Sequence, residues 1–227
     1  MPLFEISGVS LQISQNMLSP ALSEMLNRGR YELQESKAVA HFVQPDDVVM
    51  EIGAGVGFIS ILAAKIVGGQ NVIAIEANPQ LLPEISNNYA LNNVSGVHLL
   101  NFAVVAAPEG KMVRLYLNRA FWASSTMSSN NPKQKFVDVP AISLEALTTE
   151  WQPTVLVCDV EGSEKDYFKA PLPKSIRLII LELHPEKYAP EVFDTILKRL
   201  TAISFSYVAF GNREDVVCFE RIDGAYS

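Results

Sequence analysis

A chain of 227 residues is long enough to bury a substantial core, and suits one large domain with a small appendage. Hydrophobic residues make up 48% and charged residues 19%, ordinary proportions for a soluble globular protein. The balance of 18 basic against 25 acidic residues leaves −7, with no long run of Lys or Arg, which argues against a DNA or RNA surface.

The first 45 or so residues read as helical, with Tyr31 to Val43 the best patterned, and are expected to cap one end of the main domain. Residues 46–227 form that domain. Val48 to Gly53 is a short buried-strand run, Phe58 to Val67 has helical period, and Gly68-Gly69 stops that helix. Asn71 to Glu76 is a second strand. Asn78 before Pro79 reads as the cap of a helix that runs to about Asn92, although Pro83 blurs its start. Val97 to Val104 is a third strand and Lys111 to Leu117 alternates like a fourth. Arg119 to Lys135 is rich in Ser and Asn and reads as a loop.

Ser143 is expected to cap a short helix. Thr154 to Val160 is a strand, followed by a helix from about Ser163 to Ala170. Ile176 to His184 is the next strand, and Pro190 to Leu200 an amphipathic helix. Two closing strands, with a turn at Gly211-Asn212, suit a hairpin. Strand and helix alternating, with continuously apolar strands, predicts a doubly wound, mostly parallel sheet with helices on both faces.

In open α/β sheets, ligands bind beyond the carboxyl ends of the strands. Gly53, Gly55 and Gly57 lie in the turn after the first strand, where the backbone must bend sharply and approach a ligand closely. Glu76 ends the second strand, where a carboxylate can accept hydrogen bonds from both hydroxyls of a ribose. The spacing is G-x-G-x-G, not the G-x-G-x-x-G of dinucleotide turns. Glu51 stands just before it, an acid suited to the ammonium and sulfonium charges of S-adenosylmethionine. That methyl donor is therefore the expected cofactor, ahead of NAD.

Taken in order, YELQES, VVMEIGAGVGFIS, EANP, LNN, VPAISLEAL, VCDVEGSE and LIILELH resemble the FkbM family of S-adenosylmethionine-dependent methyltransferases. The likeness runs from about Tyr31 to Glu220. It implies a seven-stranded class I methyltransferase fold and O-methylation of a hydroxyl on a small molecule, sugar or glycan. Glu51 and Gly55 depart from the family's more usual D-x-G-A-N-x-G, and Ala77 stands where Pro commonly follows the ribose-binding acid. By the same resemblance Tyr31 and Glu32 close over the cofactor, with Ala77 and Asn101 beside it.

Methyl transfer needs a positioned nucleophile and, for a hydroxyl, removal of its proton near attack. Asp159 and Glu161 would share one side of an extended strand end, and His184 ends the neighbouring strand. His184 is the preferred base because imidazole titrates near neutrality. Asp159 could orient the acceptor, contact the cofactor, or hold Mg²⁺ with Glu161, although a site without metal is favoured. Ser163 and Asp166 read as a capping-box-like helix start, with Glu164 between the site and the cap. Glu182, Trp122, Ser124 and Ser125 are second-rank acceptor contacts.

Cys158 and Cys218 read as buried free thiols, and His41 and His98 as structural. With no signal peptide and no membrane-length apolar run, the expectation is a cytoplasmic enzyme acting on a small molecule or glycan, with no nucleic-acid or membrane partner. The rival readings are an N-methyltransferase of nucleic acid or protein, an NAD-dependent oxidoreductase, and a cofactor-binding module without catalysis.

Overall fold

The computed structural model describes residues 1–106, 108, 110–117, 135–160, 162–169, 171–187, 189, 191–210 and 216–222. The chain opens with two strands, β1 (Leu3–Ile6) and β2 (Val9–Gln12), paired antiparallel. Ser7 and Gly8 join them, both at positive φ, a backbone that matches the twist of a two-residue hairpin. The expected all-helical cap is thus corrected at its first dozen residues. Phe4, Ile6, Val9 and Leu11 alternate onto one buried face of the hairpin. Helices α1 (Pro20–Asn27) and α2 (Leu33–Phe42) come next.

The main sheet uses β3 (Val49–Ile52), β4 (Val72–Ile75), β5 (His98–Leu100), β9 (Val155–Cys158), β10 (Leu178–Glu182), β11 (Phe205–Val208) and β12 (Val216–Arg221). Its order is β11-β12-β10-β9-β3-β4-β5. The neighbours from β10 through β5 pair in parallel, whereas β12 is antiparallel to both β10 and β11. The expected seven-stranded, doubly wound sheet is present. Its closing hairpin adds two strands at the edge, with the later one inserted against β10. The expected turn at Gly211-Asn212 lies outside the described residues.

Every residue of β3, β4 and β9 is buried, so alternate side chains must serve two cores. Val49, Ala74, Val157 and Ile180 face α2, α3 (Phe58–Val67) and α4 (Leu82–Leu91). Met50, Ile75, Leu156 and Leu181 face α5 (Leu144–Trp151), the single turn α6 (Glu164–Tyr167) and α7 (Glu191–Ala202). At the amino end of the sheet, Arg177 forks onto the nearly buried Asp47 and so ties β10 to the segment entering β3.

Several local expectations are corrected. The third strand breaks at Asn101, whose amide turns back to the carbonyls of Glu76 and Ala77, at 2.8 and 3.1 Å. Beyond the break, β6 (Ala103–Val105) leaves the main sheet and joins β7 (Met112–Tyr116) and β8 (Phe136–Ser143) in a separate three-stranded sheet. Asn78 caps only a turn, accepting from Gln80 N, and α4 begins at Leu82. Ser163 makes no capping bond, and α6 is four residues long. Ser143 does cap α5, its hydroxyl accepting from Ala146 N at 3.0 Å. Ser143→Ala is expected to cost about 1 kcal/mol, measured by urea unfolding. Cys158 and Cys218 are buried free thiols.

Candidate active site

The chain winds outward from β3 to β5 in one direction, then returns to build β9 and β10 on the other side. The carboxyl ends of β3 and β9 therefore flank the point where strand order reverses. Gly53 leaves β3 at φ +92, and a Cβ there would lie 1.8 Å from the carbonyl oxygen of Asp159. Gly55 and Gly57 also take positive φ. The turn is held by Glu76: its Oε2 accepts from Gly55 N at 2.9 Å and its Oε1 from Asn78 N at 2.7 Å. Burial raises the Glu76 carboxyl to about 7, and those backbone donors oppose the shift. Asn101 acts as a brace, pinning the backbone at Glu76 and Ala77.

Tyr31 and Glu32 lie directly above the turn. A Cβ on Gly55 would meet the Tyr31 hydroxyl at 3.0 Å and Glu32 Oε1 at 3.5 Å. Glu32 adopts a left-handed backbone, φ 46, where the chain enters α2. Beneath them is a small cavity lined by Glu32, Glu35, Glu51, Ile52, Gly53, Ile59, Val157 and Asp159. Burial pushes the Glu51 carboxyl up to about 8 and raises that of Glu32 well above its ordinary value. Glu32 Oε2 and Glu51 Oε2 are buried and make no hydrogen bond. Such orphaned acceptors are costly, and a cationic ligand would relieve them. A glycine cradle beside orphaned acids fits the methionine end of S-adenosylmethionine. Glu35, the fifth residue of YELQES, joins this wall although the resemblance points only to Tyr31 and Glu32 of that segment.

Next to the cavity, His184 sits just beyond β10 and is 8% exposed. Its Nδ1 is 2.7 Å from Oε1 of Glu164, a residue with no exposed surface, and its Nε2 faces Asp159 Oδ1 at 3.5 Å. Gly162 N also donates to Glu164 Oε1, at 3.1 Å. Burial, then the neighbouring charges of Asp159 and Glu35, push Glu182 up to about 10, while His184 opposes the shift. The structure brings Asp159, Glu182 and His184 together, ligand atoms within 4.8 Å of one another. Glu164 proves to be the carboxylate that sets the imidazole, whereas Asp166 pairs with Lys169 on the surface. Glu161, Trp122, Ser124 and Ser125 lie outside the described residues. His41 stacks on Phe210 and His98 packs on Trp151, both away from the site.

A model of the TRM5/TYW2 methyltransferase domain matches residues 25–113, which span the glycine turn and Glu76. Over 75 residues, 33% of this chain, it is 27% identical to the ribosomal protein L11 methyltransferase of Clostridium perfringens. That stretch covers 24% of the relative, so the match spans about a quarter of the curated relatives' length. Among solved structures, the tRNA (uracil-54, C5)-methyltransferase of Pyrococcus abyssi superposes with a TM-score of 0.53 at 14% identity. That superposition covers 97% of this chain and 43% of the other. A Pyrococcus horikoshii protein described as a transferase gives 0.52 at 16% identity, covering 96% and 70%. The fold is that of class I methyltransferases. The expected small-molecule or glycan acceptor, with nucleic acid excluded, is corrected by these comparisons, since the similar proteins are named for tRNA and for a ribosomal protein. Net charge alone misled, because it averages over a surface that need not touch the acceptor.

Proposed function

We propose that this chain binds S-adenosylmethionine and transfers its methyl group to an RNA or protein of the translation apparatus. The observation that carries the cofactor is the glycine turn between Glu51 and Glu76, roofed by Tyr31 and Glu32 and backed by orphaned buried acids. Glu76 would take the ribose hydroxyls, while Glu51 and Glu32 would face the positively charged end. The bound cofactor supplies an activated methyl group. The chain's own task is to orient the acceptor and receive its proton, and His184 held by Glu164 beside Asp159 is placed for both. The macromolecular acceptor is supported by the names of the similar proteins. The DVEGSE segment, whose Glu164 holds the base, further supports an FkbM-like layout of the catalytic half.

Calorimetry with S-adenosylmethionine, S-adenosylhomocysteine and NAD tests the cofactor; binding of NAD alone would sink the reading. Labelled methyl transfer into separated tRNA, rRNA and ribosomal-protein fractions tests the acceptor. Glu76→Gln is expected to weaken S-adenosylhomocysteine binding about 10- to 100-fold, because the new amide sets a donor against the Gly55 or Asn78 N–H. Unchanged affinity would remove Glu76 from the cofactor site.

A further inference from the structure

We propose that Asp159, Glu182 and His184 hold a divalent cation, Mn²⁺ or Mg²⁺, at the acceptor side of the site. One ligand atom from each of the three lies within 4.8 Å of the others. An octahedral cation about 2.1 Å from each donor keeps its ligands roughly 3 to 4 Å apart, so only a small inward movement is needed. The donors come from two adjacent strands: Asp159 just past the end of β9, Glu182 at the end of β10, and His184 two residues further. Strand ends anchored in a buried sheet hold a site more precisely than a loop does.

The composition is mixed, not simply acidic, and the histidine is arranged as metal-binding histidines are. Glu164 Oε1 sits 2.7 Å from Nδ1, so an Nδ1–H can donate to it and leave Nε2, which faces Asp159 Oδ1 at 3.5 Å, to ligate the ion. Glu164 has no exposed surface and Gly162 N fixes it from behind, so the ring orientation is set before anything binds. Two carboxylates with one imidazole suit Mn²⁺ somewhat better than Mg²⁺, because the nitrogen donor is softer. Three protein ligands leave coordination positions for water and for an oxygen of the acceptor. With the ion in place His184 Nε2 is a ligand, so the ion, by lowering the pKa of that oxygen, would replace the imidazole as the means of removing the acceptor's proton. The ion also offsets the negative charge of Asp159, which would otherwise repel a phosphate-bearing acceptor. The site for the ion stands on geometry alone; only its role beside the transferred methyl rests on the function proposed above.

The test is a titration of the chelator-treated 227-residue chain with Mn²⁺, following free ion by electron paramagnetic resonance. About one equivalent should bind. Glu182→Gln and His184→Ala should each weaken it tenfold or more, while Asp166→Asn, on the surface of the same segment, should not. Binding of S-adenosylhomocysteine is measured on the same samples. No Mn²⁺ binding by the unsubstituted chain at millimolar ion, or binding that Glu182→Gln leaves intact, overturns the ion site. If S-adenosylhomocysteine still binds, that failure belongs to the ion alone. If Mn²⁺ binds as expected and S-adenosylhomocysteine does not, the ion site stands and the methyltransferase reading fails.

Discussion

Gly53→Ala is expected to destabilise the chain by about 4 kcal/mol or more and to abolish S-adenosylhomocysteine binding. Two effects add. Alanine at φ +92 pays a backbone penalty of roughly 1–2 kcal/mol before any contact is considered. The new Cβ would then fall 1.8 Å from the Asp159 carbonyl oxygen and 3.0 Å from its carbon. Those are backbone atoms, so no rotamer change relieves the overlap. Asp159 N donates to Ile52 O at 3.0 Å, which clamps the two strand ends together at this level. The turn can make room only by parting β3 from β9, and that parting dismantles the site. Gly8→Ala is the control: its φ is +75, but nothing lies within 4 Å of the added carbon. It should cost about 1 kcal/mol from backbone strain alone. Urea unfolding of both variants decides the matter, and near-equal losses would show that the close approach is unimportant.

That glycine is also where sequence and structure agree for a clear physical reason. Strands buried on both faces are apolar nearly throughout, so β3 (Glu51 apart), β4, β9 and β10 (its terminal Glu182 apart) stand out by composition, and the turn after β3 needs residues without Cβ. Glu76 and His184 are legible by the same logic, as polar residues ending apolar runs. The break after β5 is not, because Asn101 stops the strand by reaching carbonyls 24 and 25 residues earlier. Glu164 is obscured differently. Read locally, it is an acid in the first turn of a helix, and the real constraint is an imidazole 20 residues later. The amino-terminal hairpin did leave a signal: Ser-Gly between alternating apolar residues, which the helical pattern of Tyr31 to Val43 overshadowed.

Glu51→Gln is expected to remove the pH dependence that this buried acid imposes on the cofactor-free chain. Burial raises Glu51 from an ordinary 4.5 to about 8, with Ser60 hydrogen bonds opposing the shift and Glu76 adding to it. The folded state therefore holds its proton more tightly than the unfolded state does. This contribution to stability is fully present below pH 4.5 and is lost as pH rises through about 8. At about 1.4 kcal/mol per pH unit, the loss by pH 9 is on the order of 3–5 kcal/mol. Glutamine keeps the shape and carries no titrating proton, so the variant should match the parent near pH 4.5 and be more stable at pH 9. Glu76 and Glu182 are raised in the same direction and remain in both proteins, so the difference reports Glu51 together with its coupling to Glu76. Affinity should move the opposite way. A cationic ligand favours the ionised carboxylate, so Glu51→Gln should bind S-adenosylmethionine more weakly, most of all at alkaline pH. Thermal unfolding at both pH values, with calorimetry beside it, tests the two halves together. Equal stability of parent and variant at pH 9 would mean that Glu51 is hydrated and already charged in the folded chain. The acid-lined cavity would then carry no stored cost for a ligand to relieve.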